Sequence, residues 1–219
     1  MSTRPVKVLF SILFSIAACS EALACSCGLL SAHDRYRNAA AVFVGTAVSK
    51  TFFGSGIRFH IEESFWGTTG DSVTVKQYDP VICDSFAFRV GQKYLVVAYR
   101  QGSELTVTAC NQGAGIKFAA GDVHVLREQR QGKSLPYVYG VLTTKDEMPL
   151  SNAAVALQKD ANPAHIIAQT RTAADGYFEF QKVPPGGYLV VALPGSGATP
   201  IKRYFETNGP GVRLILHSW

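Results

Sequence analysis

Past its first 24 residues the chain has no apolar run long enough to cross a bilayer, so no membrane span is expected. Charge is also scarce. Only 17% of residues are charged, and the net surplus of +5 forms no basic run, which argues against nucleic acid as a partner. Cysteines number five, and no second Cys-x-Cys or Cys-x-x-Cys accompanies Cys25-Ser26-Cys27, which argues against a zinc or copper(I) site. The histidines, His33, His60, His124, His165 and His217, are scattered and form no His-Glu-x-x-His helix. Gly132-Lys133-Ser134 lacks the upstream glycine and the preceding strand of a phosphate loop, so it reads as linker. Gly195-Ser196-Gly197 follows Pro194 and reads as a loop, not a nucleophile elbow. Asp175-Gly176 has no EF-hand ligand spacing and reads as a hairpin turn. Asp160, Asp175 and Glu179 show no pairing suited to acid–base work. No enzyme, no cofactor and no intrinsic metal are therefore expected.

What remains is a folding chain without long helical periods. Hydrophobic residues make up 47% of its 219 positions, enough to bury one large core or two small ones. Glycine and proline are plentiful, and valine and aromatic residues recur in short bursts, the composition of a mostly β protein.

Residues 1–24 have the three parts of an export signal: basic Arg4 and Lys7, the apolar run Val8–Ala18, and small Ala22 and Ala24 before the cut. Removing them takes away two cations and Glu21, which leaves a net charge of about +4 on the mature chain. Cleavage after Ala24 makes Cys25 the new N-terminus. The alternative cut lies at Ile16-Ala17-Ala18-Cys19, which resembles a bacterial lipoprotein box with Cys19 as the lipidated residue. The clean small-x-small pattern and the normal spacer favour Ala24. In an oxidising compartment Cys25, Cys27, Cys83 and Cys110 are disulfide candidates. A Cys25–Cys27 bridge would close a strained small ring, so the two long-range patterns are preferred. Loops of about 60 to 85 residues contribute on the order of 4 kcal/mol each by the chain-entropy model.

Along the chain, residues 31–40 read as a short helix with Ser31 as its cap. Strands are expected at 41–50, 57–66, 71–78, 93–100 and 104–110, a spacing that suits a small closed barrel. Residues 122–130 read as a helix, with Val123, Val125 and Leu126 on one side. Polar residues 131–136 break the pattern and mark a linker. Residues 137–219 then read as seven short strands, at 137–144, 149–150, 153–158, 166–172, 177–180, 188–193 and 211–217. That pattern predicts an antiparallel Ig-like sandwich with a self-sufficient core.

Residues 25–130 resemble the tissue inhibitor of metalloproteinases family, the netrin-like OB-fold. The residues that carry this are Cys25-Ser26-Cys27, Val42-Phe43-Val44-Gly45, Phe65-Trp66-Gly67, Cys83, Tyr94-Leu95-Val96-Val97-Ala98 and Leu105…Cys110-Asn111. The resemblance implies bridges Cys25–Cys83 and Cys27–Cys110. The chain lacks the cysteines for the third bridge of the family's animal members, and its second half is unrelated to theirs. Residues 137–219 resemble the carboxypeptidase regulatory-like, or transthyretin-like, sandwich through Tyr139-Gly140-Val141, Pro149-Leu150, Asp175-Gly176-Tyr177-Phe178 and Val183-Pro184-Pro185-Gly186. That resemblance is nearly silent on function.

The first resemblance implies inhibition of a zinc metallopeptidase. The amine and carbonyl of Cys25 would chelate the target's zinc, whose open position normally holds the nucleophilic water. Ser26 would point to the specificity pocket, Gly28 would allow close approach, and Cys27 with Pro80, Val81 and Ile82 would complete the contact ridge. The only zinc involved belongs to the target. The expected protein is exported, secreted or held in the periplasm or at the cell surface. The competing reading is a non-inhibitory cell-envelope binding or adhesion module, an outer-membrane lipoprotein if Cys19 carries the anchor.

Overall fold

The computed structural model of the protein describes residues 32–51, 56–77, 88–107, 113–193 and 199–218. Its first half is a barrel preceded by a short helix, α1 (Ala32–Arg37). The strands are β1 (Ala41–Lys50), β2 (Gly56–Trp66), β3 (Ser72–Gln77), β4 (Lys93–Gln101), β5 (Glu104–Val107) and the three-residue β6 (Gly113–Gly115). They run in the order β1-β2-β3-β5-β4-β6, and β1 also pairs with β4, which closes a five-stranded barrel. Register shifts along β1 and β2, at Val42/Phe43, Val44/Gly45 and Ala47/Ser49, bend the pair around the closure.

The barrel interior is aromatic. Phe59 packs edge-on against Phe43, Phe88 and Tyr94, with ring centroids 5.7, 5.0 and 6.4 Å away. Phe43 and Val96 point into this interior, whereas their neighbours Val42, Val44, Leu95 and Val97 point outward and are buried as well. That double burial explains the near-continuous apolar run of β4. The outer wall is covered by α1 and by α2 (Ala120–Arg130), whose Val123, Val125 and Leu126 face it. Asp122 in the first turn of α2 and Arg127 and Arg130 in the last complement the helix dipole.

The second half is a sandwich of two sheets. One is β10 (Tyr177–Phe180), β7 (Val138–Thr143) and β13 (Val212–His217); the other is β12 (Ile201–Thr207), β11 (Gly186–Leu193), β8 (Ala154–Lys159) and β9 (Asn162–Arg171). Val138, Leu142, Val155, Leu157, Phe178 and Tyr188 are among the residues that fill the space between them. All pairings are antiparallel except that β13 runs parallel to β7, from Val212↔Val138 to His217↔Thr143. Gly140 is required there, because a Cβ would lie 2.2 Å from the Leu214 carbonyl oxygen.

Three expectations change. Residues 149–150 make an isolated bridge, Thr143↔Pro149, in place of a strand. The turn at Asp175-Gly176 is not a hairpin, since β9 and β10 belong to different sheets. The seventh strand is β12, which sequence reading passed over because Lys202, Arg203 and Glu206 crowd a seven-residue edge segment.

Candidate functional site

The expected chelator Cys25, the ridge residues Ser26, Cys27, Gly28, Pro80, Val81 and Ile82, the bridge partners Cys83 and Cys110, and the alternative lipid site Cys19 all lie outside the described residues. So does the expected cap, Ser31. The structure describes the strands and helix from which those segments depart. The parallel pair β3–β5 sets Lys76 opposite Thr106 and Gln77 opposite Val107. Thr106 is in turn opposite Tyr99 of β4. The Tyr99 hydroxyl donates to the Arg35 carbonyl of α1 at 3.0 Å, and Ala40 N–H donates to the Ala98 carbonyl at 2.8 Å. The last residues of β3 and β5 therefore lie side by side, and β5 adjoins the strand on which α1 rests. Cys110 lies three residues past Val107, Cys83 six past Gln77, and Cys27 five before Ala32. At full extension these tethers reach at most about 11, 22 and 18 Å, respectively.

β5 and β6 share one edge of β4. Thr106 pairs with Tyr99, and Gly113 pairs with Val96. β5 and β6 thus meet β4 within three residues of each other along that strand.

A second constellation joins the halves. Asp122 of α2 is 1% exposed. Its Oδ1 accepts a 2.5 Å hydrogen bond from the Tyr139 hydroxyl of β7, and its Oδ2 lies 2.6 Å from Arg213 Nε of β13. Arg213 also donates to the Phe118 carbonyl just before α2. A buried carboxylate is tolerable only with partners of this kind. Burial, and then the Asp122 charge, push the Tyr139 phenol well above its ordinary pKa, and the same two causes act on Tyr36 of α1. The Tyr36 hydroxyl and Arg35 Nε are buried without a hydrogen-bond partner among the described residues. Beside the network His124 of α2 stacks on Tyr177 of β10, centroids 4.0 Å apart.

A groove of about 470 Å³ opens between α1, the end of β2 and the last turn of α2. Its walls include Tyr36, Arg37, Phe65, Trp66 and Arg130. Trp66 is held by a 3.2 Å hydrogen bond from its indole N–H to the Ala39 carbonyl. Gly67 turns the chain just after it at φ +77°, and a Cβ there would lie 1.9 Å from the Ala40 carbonyl oxygen. Arg130 lies over the Phe65 ring at 5.5 Å and bonds Glu63 and the Ser64 carbonyl.

The described residues hold no group of three or more His, Cys, Asp or Glu side chains arranged to bind a metal. His60 contacts the Asp71 carbonyl and His217 the Thr143 hydroxyl, so these two serve local structure. Among the described residues no helix is long and apolar enough to cross a membrane. Sequence reading missed the buried network and the groove. The one available signal was Asp122, a charge beside Val123, Val125 and Leu126 in an otherwise apolar helix face.

No family model matches the chain, and no curated protein matches it. Among solved structures, a 5-hydroxyisourate hydrolase from Klebsiella pneumoniae aligns at 18% identity over 39% of this chain and 87% of its own, with a TM-score of 0.29. The C-terminal fragment of the pilus adhesin SpaC from Lactobacillus rhamnosus GG aligns at 13% identity over 87% of this chain and 91% of its own, with a TM-score of 0.23. Likenesses this faint carry no argument about activity.

Proposed function

We propose that the exported protein inhibits zinc metallopeptidases through a mature N-terminus at Cys25. One observation supports this best: the two downstream cysteine-bearing segments begin at the neighbouring residues Gln77 and Val107, with α1 held against the adjoining strand by Tyr99. Two downstream cysteines that follow neighbouring strand ends suit a stapled N-terminus, bridged Cys25–Cys83 and Cys27–Cys110 as the family resemblance implies.

The chemistry follows from the first residue. A free α-amino group has a pKa of about 8, so a useful fraction is neutral near physiological pH. Its nitrogen and the Cys25 carbonyl oxygen close a five-membered chelate on one metal. On the target's zinc that chelate displaces the water that would attack substrate. Two bridges fix the N-terminus beforehand, so little conformational entropy is lost on docking. Ser26 then faces the specificity pocket, and Gly28, Pro80, Val81 and Ile82 extend the contact.

The test begins with intact mass and N-terminal sequencing of the exported protein, followed by inhibition assays against a panel of zinc endopeptidases. A chain starting at Cys25 that inhibits, and a variant with one alanine added before Cys25 that does not while its melting temperature is unchanged, are the expected results. Undiminished inhibition by the extended variant overturns chelation. A lipidated Cys19 at the mature N-terminus leaves the envelope-module reading in its place.

A further inference from the structure

The groove between α1, β2 and α2 sets basic side chains against aromatic walls. Its lining includes two guanidiniums, Arg37 and Arg130, and no carboxylate. Arg37 is exposed and makes no hydrogen bond or ion pair among the described residues. Arg127 and Arg130 of α2 pair with Glu63, and Lys133 just after the helix pairs with Glu128. The walls between the cations are apolar and aromatic. Trp66 is 37% exposed even though its indole N–H is already satisfied, so its ring is oriented and open to solvent.

Arg130 already shares Glu63 with Arg127, so the cation left unpaired beside the aromatic wall is Arg37, and an unpaired cation next to exposed aromatic surface is complementary to an extended peptide that alternates carboxylates with large apolar side chains. We infer that this groove docks an acidic–apolar peptide segment of a partner protein, with Arg37 pairing a carboxylate and Trp66 and Phe65 packing its apolar side chain. The inference is independent of the Cys25 chelate. It needs neither a free N-terminus nor a zinc-bearing partner.

Trp66 supplies the readout. The full exported chain carrying Trp219→Phe, so that Trp66 is the only tryptophan, is titrated with acetyl-Glu-Leu-Glu-Phe-Glu-amide while its fluorescence is followed. Two control peptides are run beside it, one with lysine for glutamate and one with serine for leucine and phenylalanine. A saturable change with the first peptide alone, weakened about fivefold to tenfold by Arg37→Glu and weakened further by added salt, is the expected result. Arg37 has no structural partner to lose, so a folded Arg37→Glu variant is expected by circular dichroism. If that variant does not fold, the salt dependence and the two control peptides decide. Equal binding of the serine control reduces the groove to a bare charged patch and overturns the proposal. So does an unchanged affinity in folded Arg37→Glu. Absence of any saturable signal, as when the chain's own residues ahead of Ala32 fill the groove, overturns it as well.

Discussion

The hydroxyl of Tyr139 lies 2.5 Å from Oδ1 of Asp122, and this contact ties the first strand of the sandwich to the helix that covers the barrel. With Arg213 on the other carboxylate oxygen, the two halves share a buried polar network inside a common apolar layer to which Tyr36, Tyr139 and Tyr177 all belong. Coupling of this kind is expected to make the halves unfold together.

Removing pieces of that network should cost in a definite order. Tyr139→Phe deletes one hydrogen bond to an ionised acceptor, about 1.5–3 kcal/mol. Arg213→Met leaves Asp122 without its counter-charge, at about 3 kcal/mol or somewhat more. Urea unfolding followed by fluorescence and by far-ultraviolet circular dichroism checks both values. The wild type is expected to show one coincident transition, and Arg213→Met to pull the two probes apart.

High pH offers a separate reading. Burial is the largest cause raising the phenol pKa of Tyr36, Tyr99, Tyr139 and Tyr177; Asp122 adds to it at Tyr36 and Tyr139, and Glu179 at Tyr177. A folded-state pKa above the unfolded one gives stability that is complete below the unfolded value of about 10 and falls as pH rises beyond it. In an absorbance titration at alkaline pH these four phenols should ionise only as the protein unfolds. Reversible ionisation of all nine tyrosines before unfolding would contradict that.

At the acid end the telling residue is Glu63. Hydrogen bonds from Arg127 hold its carboxyl below the ordinary glutamate range, with the Arg127 and Arg130 charges acting in the same direction. Its contribution is present above the unfolded pKa of about 4.3 and fades as pH falls through the lower folded value. Glu63→Gln should therefore cost up to about 1 kcal/mol at neutral pH and nothing at the acid limit. Melting temperatures across that range measure the convergence.

Gly67→Ala should be among the most damaging small changes. It combines left-handed backbone with a methyl group driven onto the Ala40 carbonyl, a cost of about 2–4 kcal/mol. Because Ala39 also accepts the Trp66 indole bond, a red-shifted Trp66 emission should accompany the lower stability.

Much of the barrel could be read from residues alone. β1 occupies the expected 41–50, β2, β3 and β5 follow the alternations at Ile57, Val73 and Leu105, and β4 follows the near-continuous apolar run from Tyr94. The Phe65-Trp66-Gly67 corner was visible as a motif, and its glycine has a steric reason. β6 was not legible: Gly113-Ala114-Gly115 has no side-chain pattern, and only pairing to β4 makes it a strand. β9 begins at Asn162, four residues ahead of the expected start at 166, because its first pair, Lys159↔Asn162, lies where Asn-Pro reads as a turn. The groove and the Asp122 network draw on segments far apart in the chain, and local periodicity carries no information about such meetings.

The short β5–β6 interval has an engineering consequence. Because Thr106 and Gly113 are both anchored on neighbouring stretches of β4, insertions or deletions between them need not disturb the hydrogen-bonded register on either side. Changes of length between Val107 and Gly113 that keep Cys110 are therefore expected to leave the β4 pairings at Tyr99 and Val96 in place, which amide hydrogen exchange along β4 would check.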